Sequence, residues 1–176
     1  TAATIADERI PKIPKTVITF TENGDSVVIG DSITITDVDG TQLDSAVIRI
    51  SGSYFAGDSL IFKGIPATRK YANAAGISAF IPGKGDSITL SGKATFANYL
   101  SVLDSLVFKH ITTDPTDSTN KPTRAVTFNI REVSPDDSVG LWSDMTRTFT
   151  VVAVNRAPVL TDTRTNKAQT AITFTE

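Results

Sequence analysis

The chain has 176 residues, enough for one domain with a substantial core. Its 17 basic and 19 acidic side chains nearly balance and form no basic run, which argues against nucleic acid as a partner, and no stretch approaches the roughly 18 apolar residues of a membrane helix. It has no cysteine, which excludes disulfides, thiolate metal sites and cysteine nucleophiles without fixing the compartment.

Thr, Ser, Val, Ile and Asp dominate, a composition of strands and turns. Thr1-Ala2-Ala3-Thr4 lacks the charged start and apolar run of a signal peptide, so a secreted chain carries its signal elsewhere or has lost it. Residues 1–15, with Pro11 and Pro14, read as a linker or the end of a preceding junction. Period-2 alternation then recurs, the mark of strands with one buried face. It is seen at Ile18/Phe20, Ile33/Ile35, Ile48/Ile50, Leu60/Phe62, Ile88/Leu90, Val126/Phe128/Ile130 and Phe149/Val151/Ala153. Asn23-Gly24, Asp39-Gly40, Pro82-Gly83-Lys84-Gly85 and Asp114-Pro115 supply turns between the runs. One segment differs. Phe96, Tyr99, Leu100 and Leu103 stand at i, i+3, i+4 and i+7, which predicts a short helix over about 95–104 that plugs an end or edge and leads into strand Leu106-Val107-Phe108. Seven or more short strands with such turns predict an all-β Greek-key sandwich with one inserted helix.

A phrase recurs. Val17-Ile18-Thr19-Phe20-Thr21-Glu22 returns as Ala171-Ile172-Thr173-Phe174-Thr175-Glu176, and 172 minus 18 gives an offset of 154 residues. Each copy follows a polar, proline-containing stretch. The expected division is therefore linker at 1–15, sandwich at 16–156, and at 157–176 a linker with the first strand of a following repeat.

These features resemble the cadherin-like and immunoglobulin-like repeats of giant bacterial adhesins. The resemblance rests on Ile18-Thr19-Phe20-Thr21-Glu22-Asn23, on Asp37-Val38-Asp39-Gly40, and on Tyr54-Phe55-Ala56-Gly57-Asp58-Ser59-Leu60-Ile61-Phe62. It also rests on the helix before Leu106-Val107-Phe108 and on Val154-Asn155-Arg156-Ala157-Pro158-Val159. It covers about Thr16 to Val159. It implies an extracellular, cell-surface spacer or adhesive stalk with neighbouring repeats as partners. It also implies Ca²⁺ at the junctions, held by Glu22, Asp37, Asp39 and Asn155 as hard oxygen donors. Arg156 departs from the pattern, standing where the family often has Asp. A guanidinium cannot ligate Ca²⁺, and the alternative is an ion pair of Arg156 with Glu22 or Asp37. An ordinary polar turn at Asp37-Val38-Asp39-Gly40 is a further reading without metal.

No catalytic constellation is expected. Gly57-Asp58-Ser59-Leu60 spells the nucleophile phrase of one esterase family, but Asp-Ser occurs eight times in the chain and four of these follow Gly. The single histidine, His110, lacks the Asp three residues earlier that this family uses, and it reads as a strand-end surface residue. Asp136, Asp137 and Asp144 surround Trp142. They read as a solvated hairpin with Trp142 capping the core, the alternative being a second cation site or an exposed ring for glycan stacking. Glu132 and Asp136 as paired carboxylates would require a cleft that the sequence does not supply. The expectation is a non-enzymatic repeat. Two alternatives remain: a carbohydrate-binding module, which the three Tyr and one Trp make hard to build, and a filament subunit whose terminal strand Ile172-Thr173-Phe174 is exchanged between identical molecules.

Overall fold

The structure is a computed structural model that describes residues 1–9, 17–63, 70–72, 76–112, 114–116, 122–134 and 140–154. The chain is all-β with one short helix. In order it runs β1 (Thr4–Asp7), β2 (Thr19–Thr21), β3 (Val27–Val28), β4 (Ile33–Thr36), β5 (Gln42–Gly52), β6 (Asp58–Phe62), β7 (Lys70–Ala72), β8 (Ser78–Phe80), β9 (Ser87–Thr95), α1 (Phe96–Leu103), β10 (Leu106–His110), β11 (Thr123–Glu132) and β12 (Trp142–Val152).

A seven-stranded sheet has the order β2-β12-β11-β5-β9-β8-β7. Opposite it lie a three-stranded sheet, β3-β10-β6, and the pair β1-β4. Their inner faces share one hydrophobic core. Alternation explains the layers. In β11, Val126, Phe128 and Ile130 are buried while Thr127 and Asn129 face outward. Phe20, Phe108 and Phe149 join the layers edge to face, with centroids 5.3 Å apart for the first pair and 4.7 Å for the second.

The predicted helix is present. Thr95 caps it, its hydroxyl accepting the Asn98 N–H at 3.3 Å. Tyr99, Val102 and Leu103 are buried and Phe96 and Leu100 pack against the core from the side, so α1 closes one edge. The Tyr99 hydroxyl donates to the Gly92 carbonyl at 2.8 Å.

Two expectations need correction. Residues 1–15 are not all linker: Thr4–Asp7 form β1, pairing Thr4 with Thr36 and Asp7 with Ile33, and Ala3 and Ile5 enter the core. Ile5 is the one large apolar side chain of β1, so alternation does not mark it. Ala153 lies beyond the end of β12 and is exposed. The second copy of the recurring phrase, Asn155 and Arg156 lie outside the described residues.

A buried arginine clasps the β1-β4 pair to the large sheet. Arg147 lies on the inward parity of β12, with Phe149 and Val151. Its Nε and Nη2 donate to the Asp7 carboxylate at 2.8 and 2.5 Å. Its Nη1 donates to the Ile29 and Asp31 carbonyls at 2.6 and 2.7 Å. Arg9 pairs with Asp31 beside it. A fork of planar donors suits this task, because one side chain satisfies two carbonyls of the β3–β4 loop and a carboxylate at once.

Candidate functional site

The first strand starts at one pole of the sandwich and the last strand ends at the other. β1 starts beside the end of β11, where the Ala3 N–H donates to the Glu132 carboxylate at 2.9 Å. β12 runs away from that end and is joined in parallel by β2, with Thr19 opposite Thr150 and Thr21 opposite Val152. Along β11, Glu132 stands at the leading pole and Thr123, opposite Thr150, near the trailing pole. Nine residues of strand separate them, about 30 Å at roughly 3.3 Å per residue.

This path divides the expected calcium ligands. Glu22 lies at the trailing pole, buried, accepting the Val154 N–H at 2.8 Å and the Asn23 amide at 3.4 Å. Asp37 and Asp39 lie at the leading pole, in the turn after β4. The Asp37 carboxylate accepts the Val38 N–H at 2.7 Å, and its second oxygen is buried without a hydrogen-bond partner. Burial works against ionisation there, but the Val38 and Asp39 backbone N–H groups outweigh it and hold Asp37 below the usual carboxylate range. Glu132, not singled out as a cation ligand from sequence, stands at this pole too. Among the described residues no group of three or more acidic or histidine side chains is arranged to hold a metal. Glu22 therefore lies at the opposite pole from Asp37 and Asp39.

A buried polar network closes one end of the core. Asp58, His110 and Arg124 are each 5 % exposed or less. Arg124 Nε donates to Asp58 at 2.6 Å, and Arg124 Nη2 donates to the Pro115 carbonyl at 2.5 Å. His110 Nδ1 lies 2.9 Å from the other Asp58 oxygen, and its Nε2 lies 2.5 Å from the Thr112 hydroxyl. Asp58 also accepts the Phe55 N–H at 2.8 Å, and the Phe55 ring stacks on His110 at 5.8 Å. Gly57, at φ +107°, lets the backbone pass so close that a Cβ would press on Thr112 and His110. His110 is therefore not the surface residue expected.

Carboxylate, imidazole and hydroxyl in series resemble a nucleophilic triad in connectivity alone. Arg124 already compensates the Asp58 charge. A groove of about 380 Å³ between Gly57–Ile61 and Pro82–Gly85 is lined by Asp58 but by neither His110 nor Thr112. What the arrangement does chemically is satisfy three buried polar side chains where the apolar rows end.

Trp142 does not cap the core. It opens β12 on the outer parity with Asp144, Thr146 and Thr148, and is 48 % exposed. The Arg131 guanidinium lies 5.4 Å from its ring centroid and is held by Asp44 at 2.7 Å. Asp136 and Asp137 lie outside the described residues.

No protein-family model, no curated protein and no solved structure matches the chain.

Proposed function

We propose that the chain is a non-catalytic repeat unit of an extracellular tandem-repeat protein, an immunoglobulin/cadherin-like Greek-key sandwich serving as spacer or stalk of an adhesin or surface fibre. One observation carries this reading. The recurring phrase is β2, a strand that runs parallel to the last strand of the unit, so the chain is handed from pole to pole. A second copy 154 residues on is then the β2 of a following unit, and successive units stack head to tail. Load passes along β11 and β12, two long neighbouring strands that run between the poles, and the junctions set reach and stiffness.

Calcium belongs to the same proposal, at the junction rather than within a unit. Glu22 and Asn155 would come from the trailing pole of one unit, Asp37 and Asp39 from the leading pole of the next. The unpartnered Asp37 oxygen supports a cation there, whether a metal ion or the Arg156 guanidinium.

A tandem fusion tests the reading. Glu176 is the counterpart of Glu22, so residues 1–176 followed directly by residues 23–176 preserve the register and the native junction. Small-angle scattering should show a particle about twice as long as the single unit and no wider. A compact globule with no long axis would sink the idea.

A further inference from the structure

We infer that the outer face of the seven-stranded sheet, around Trp142, binds a short acidic glycan. A shallow groove of about 450 Å³ crosses β5, β11 and β12 and is lined by Val47, Arg49, Ser51, Thr127, Asn129 and Trp142. The register places these side chains on adjoining positions: Val47 faces Asn129, Arg49 faces Thr127, and Trp142 faces Arg131, two residues beyond Asn129. From Trp142 to the level of Thr127 is about 13 Å along the strands, the length of two or three sugar rings.

The chemistry selects the ligand. Sugars offer an apolar C–H face and a rim of hydroxyls. Trp142 offers an exposed indole, with the Arg131 guanidinium lying over its ring. Asn129 and the indole N–H are polar groups that no other described residue engages. The hydroxyls of Ser51, Thr127 and Thr146 form a chain across three strands at 2.7 and 3.0 Å, a fixed row of donors and acceptors. Arg49 is exposed, and no described carboxylate pairs with it. Among the described lining residues it is the one charged group, and a guanidinium fork prefers a carboxylate. A uronate-type sugar meets all three demands. A peptide strand does not, because the groove is a sheet face and not an edge. Nucleic acid is disfavoured by a net charge of −2. The shortage of aromatic residues, which counts against a broad platform, is no obstacle to a site with one stacking anchor.

Trp142 is the only tryptophan, so its fluorescence reports on this groove alone. The probes are an α-1,4-linked galacturonic acid trimer and the neutral galactose trimer of the same linkage. The acidic trimer should change the emission saturably, with a dissociation constant between about 10 μM and 1 mM, and bind at least about tenfold more tightly than the neutral one. By NMR titration, Trp142→Ala should weaken binding about tenfold or more. Arg49→Gln should remove the preference for the acidic trimer. Both side chains are exposed, so thermal melts of the variants should match wild type. No response to either trimer at about 10 mM, or a Trp142→Ala variant that binds like wild type, overturns the site. Equal binding of both trimers, or an Arg49→Gln variant that keeps the preference, overturns the acidic assignment.

Discussion

Phe20 of β2 stands edge-on to Phe108 of β10, with ring centroids 5.3 Å apart and planes at 87°. Phe20 is fully buried, although its strand is only three residues long and lies at the sheet edge. The recurring phrase thus supplies a keystone of the core. Phe20→Ala is expected to cost about 3–5 kcal/mol in urea denaturation, because the cavity lies between two sheets that cannot close on it. Thr19→Ala, on the exposed side, should cost under about 0.5 kcal/mol. Equal effects would mean that β2 does not hold the layers together.

The same relationship bears on the second copy. Thr19–Thr21 already occupy the edge beside β12, so a second copy of the phrase cannot take that same position. Deleting 171–176 should leave the melting temperature unchanged within about 1 °C, under 0.5 kcal/mol for a domain of this size. A drop of several degrees would show that the terminal strand serves its own unit. Self-assembly abolished by the deletion would instead favour strand exchange between molecules.

Asp58 and Arg124 form a buried pair with side chains at most 1 % exposed. Breaking such a pair strands a charge. Asp58→Asn and Arg124→Met are each expected to cost about 3–5 kcal/mol, and the double variant less than the sum of the two. Denaturation of the three variants measures the coupling. Strict additivity would mean that the two side chains are satisfied independently.

Much of this was legible in the sequence. The strands with apolar alternation and the helix at Phe96–Leu103 appear where periodicity places them. The buried charges were legible too, had parity been followed through them. His110 continues the inward row Leu106, Phe108; Asp58 begins the row Leu60, Phe62; Arg124 and Glu132 flank Val126, Phe128 and Ile130. Trp142 falls on the outward row by the same count. Polarity suggested the surface, but position on the strand decided the face. What alternation does not encode is which strands meet. The convergence of Asp58, His110 and Arg124 needs the pairing of β6 with β10 and the packing of both over β11. The separation of Glu22 from Asp37 needs the path of the chain between poles.

Acid should release the clasp at Arg147. Burial alone would raise the Asp7 carboxyl, but hydrogen bonds from Arg147 and the Arg9 N–H outweigh it and hold it below its ordinary value. The unfolded chain, with a value of about 3.9, therefore takes up the proton first as pH falls. The stabilisation is complete above that value and is lost as pH falls through the depressed folded value. Asp7→Asn should thus be clearly less stable than wild type at pH 7, by about 3 kcal/mol for a broken buried pair. The gap should narrow progressively below about pH 4. A gap independent of pH would assign the loss to packing rather than to charge.

Calcium and chelator distinguish a junction ion from a site within one unit. Glu22 and Asp37 lie at opposite poles, so a single unit cannot bring both to one ion. Its melting temperature should be the same in millimolar Ca²⁺ and in chelator. The tandem fusion brings a trailing and a leading pole together. An ion present at 100 times its dissociation constant would stabilise that junction by about 2.7 kcal/mol, a shift of roughly 5–10 °C for a unit of this size. Arg156 sets the competing outcome: a guanidinium seated against Asp37 leaves the fusion indifferent to chelator. In that case Arg156→Asp removes the cation and supplies a carboxylate, and the fusion should gain a Ca²⁺-dependent shift. A calcium shift in the single unit would place a complete site within one sandwich, against the division of donors between the poles. If Arg156→Asp also fails to produce a shift in the fusion, the two poles do not meet, and the head-to-tail junction falls with them.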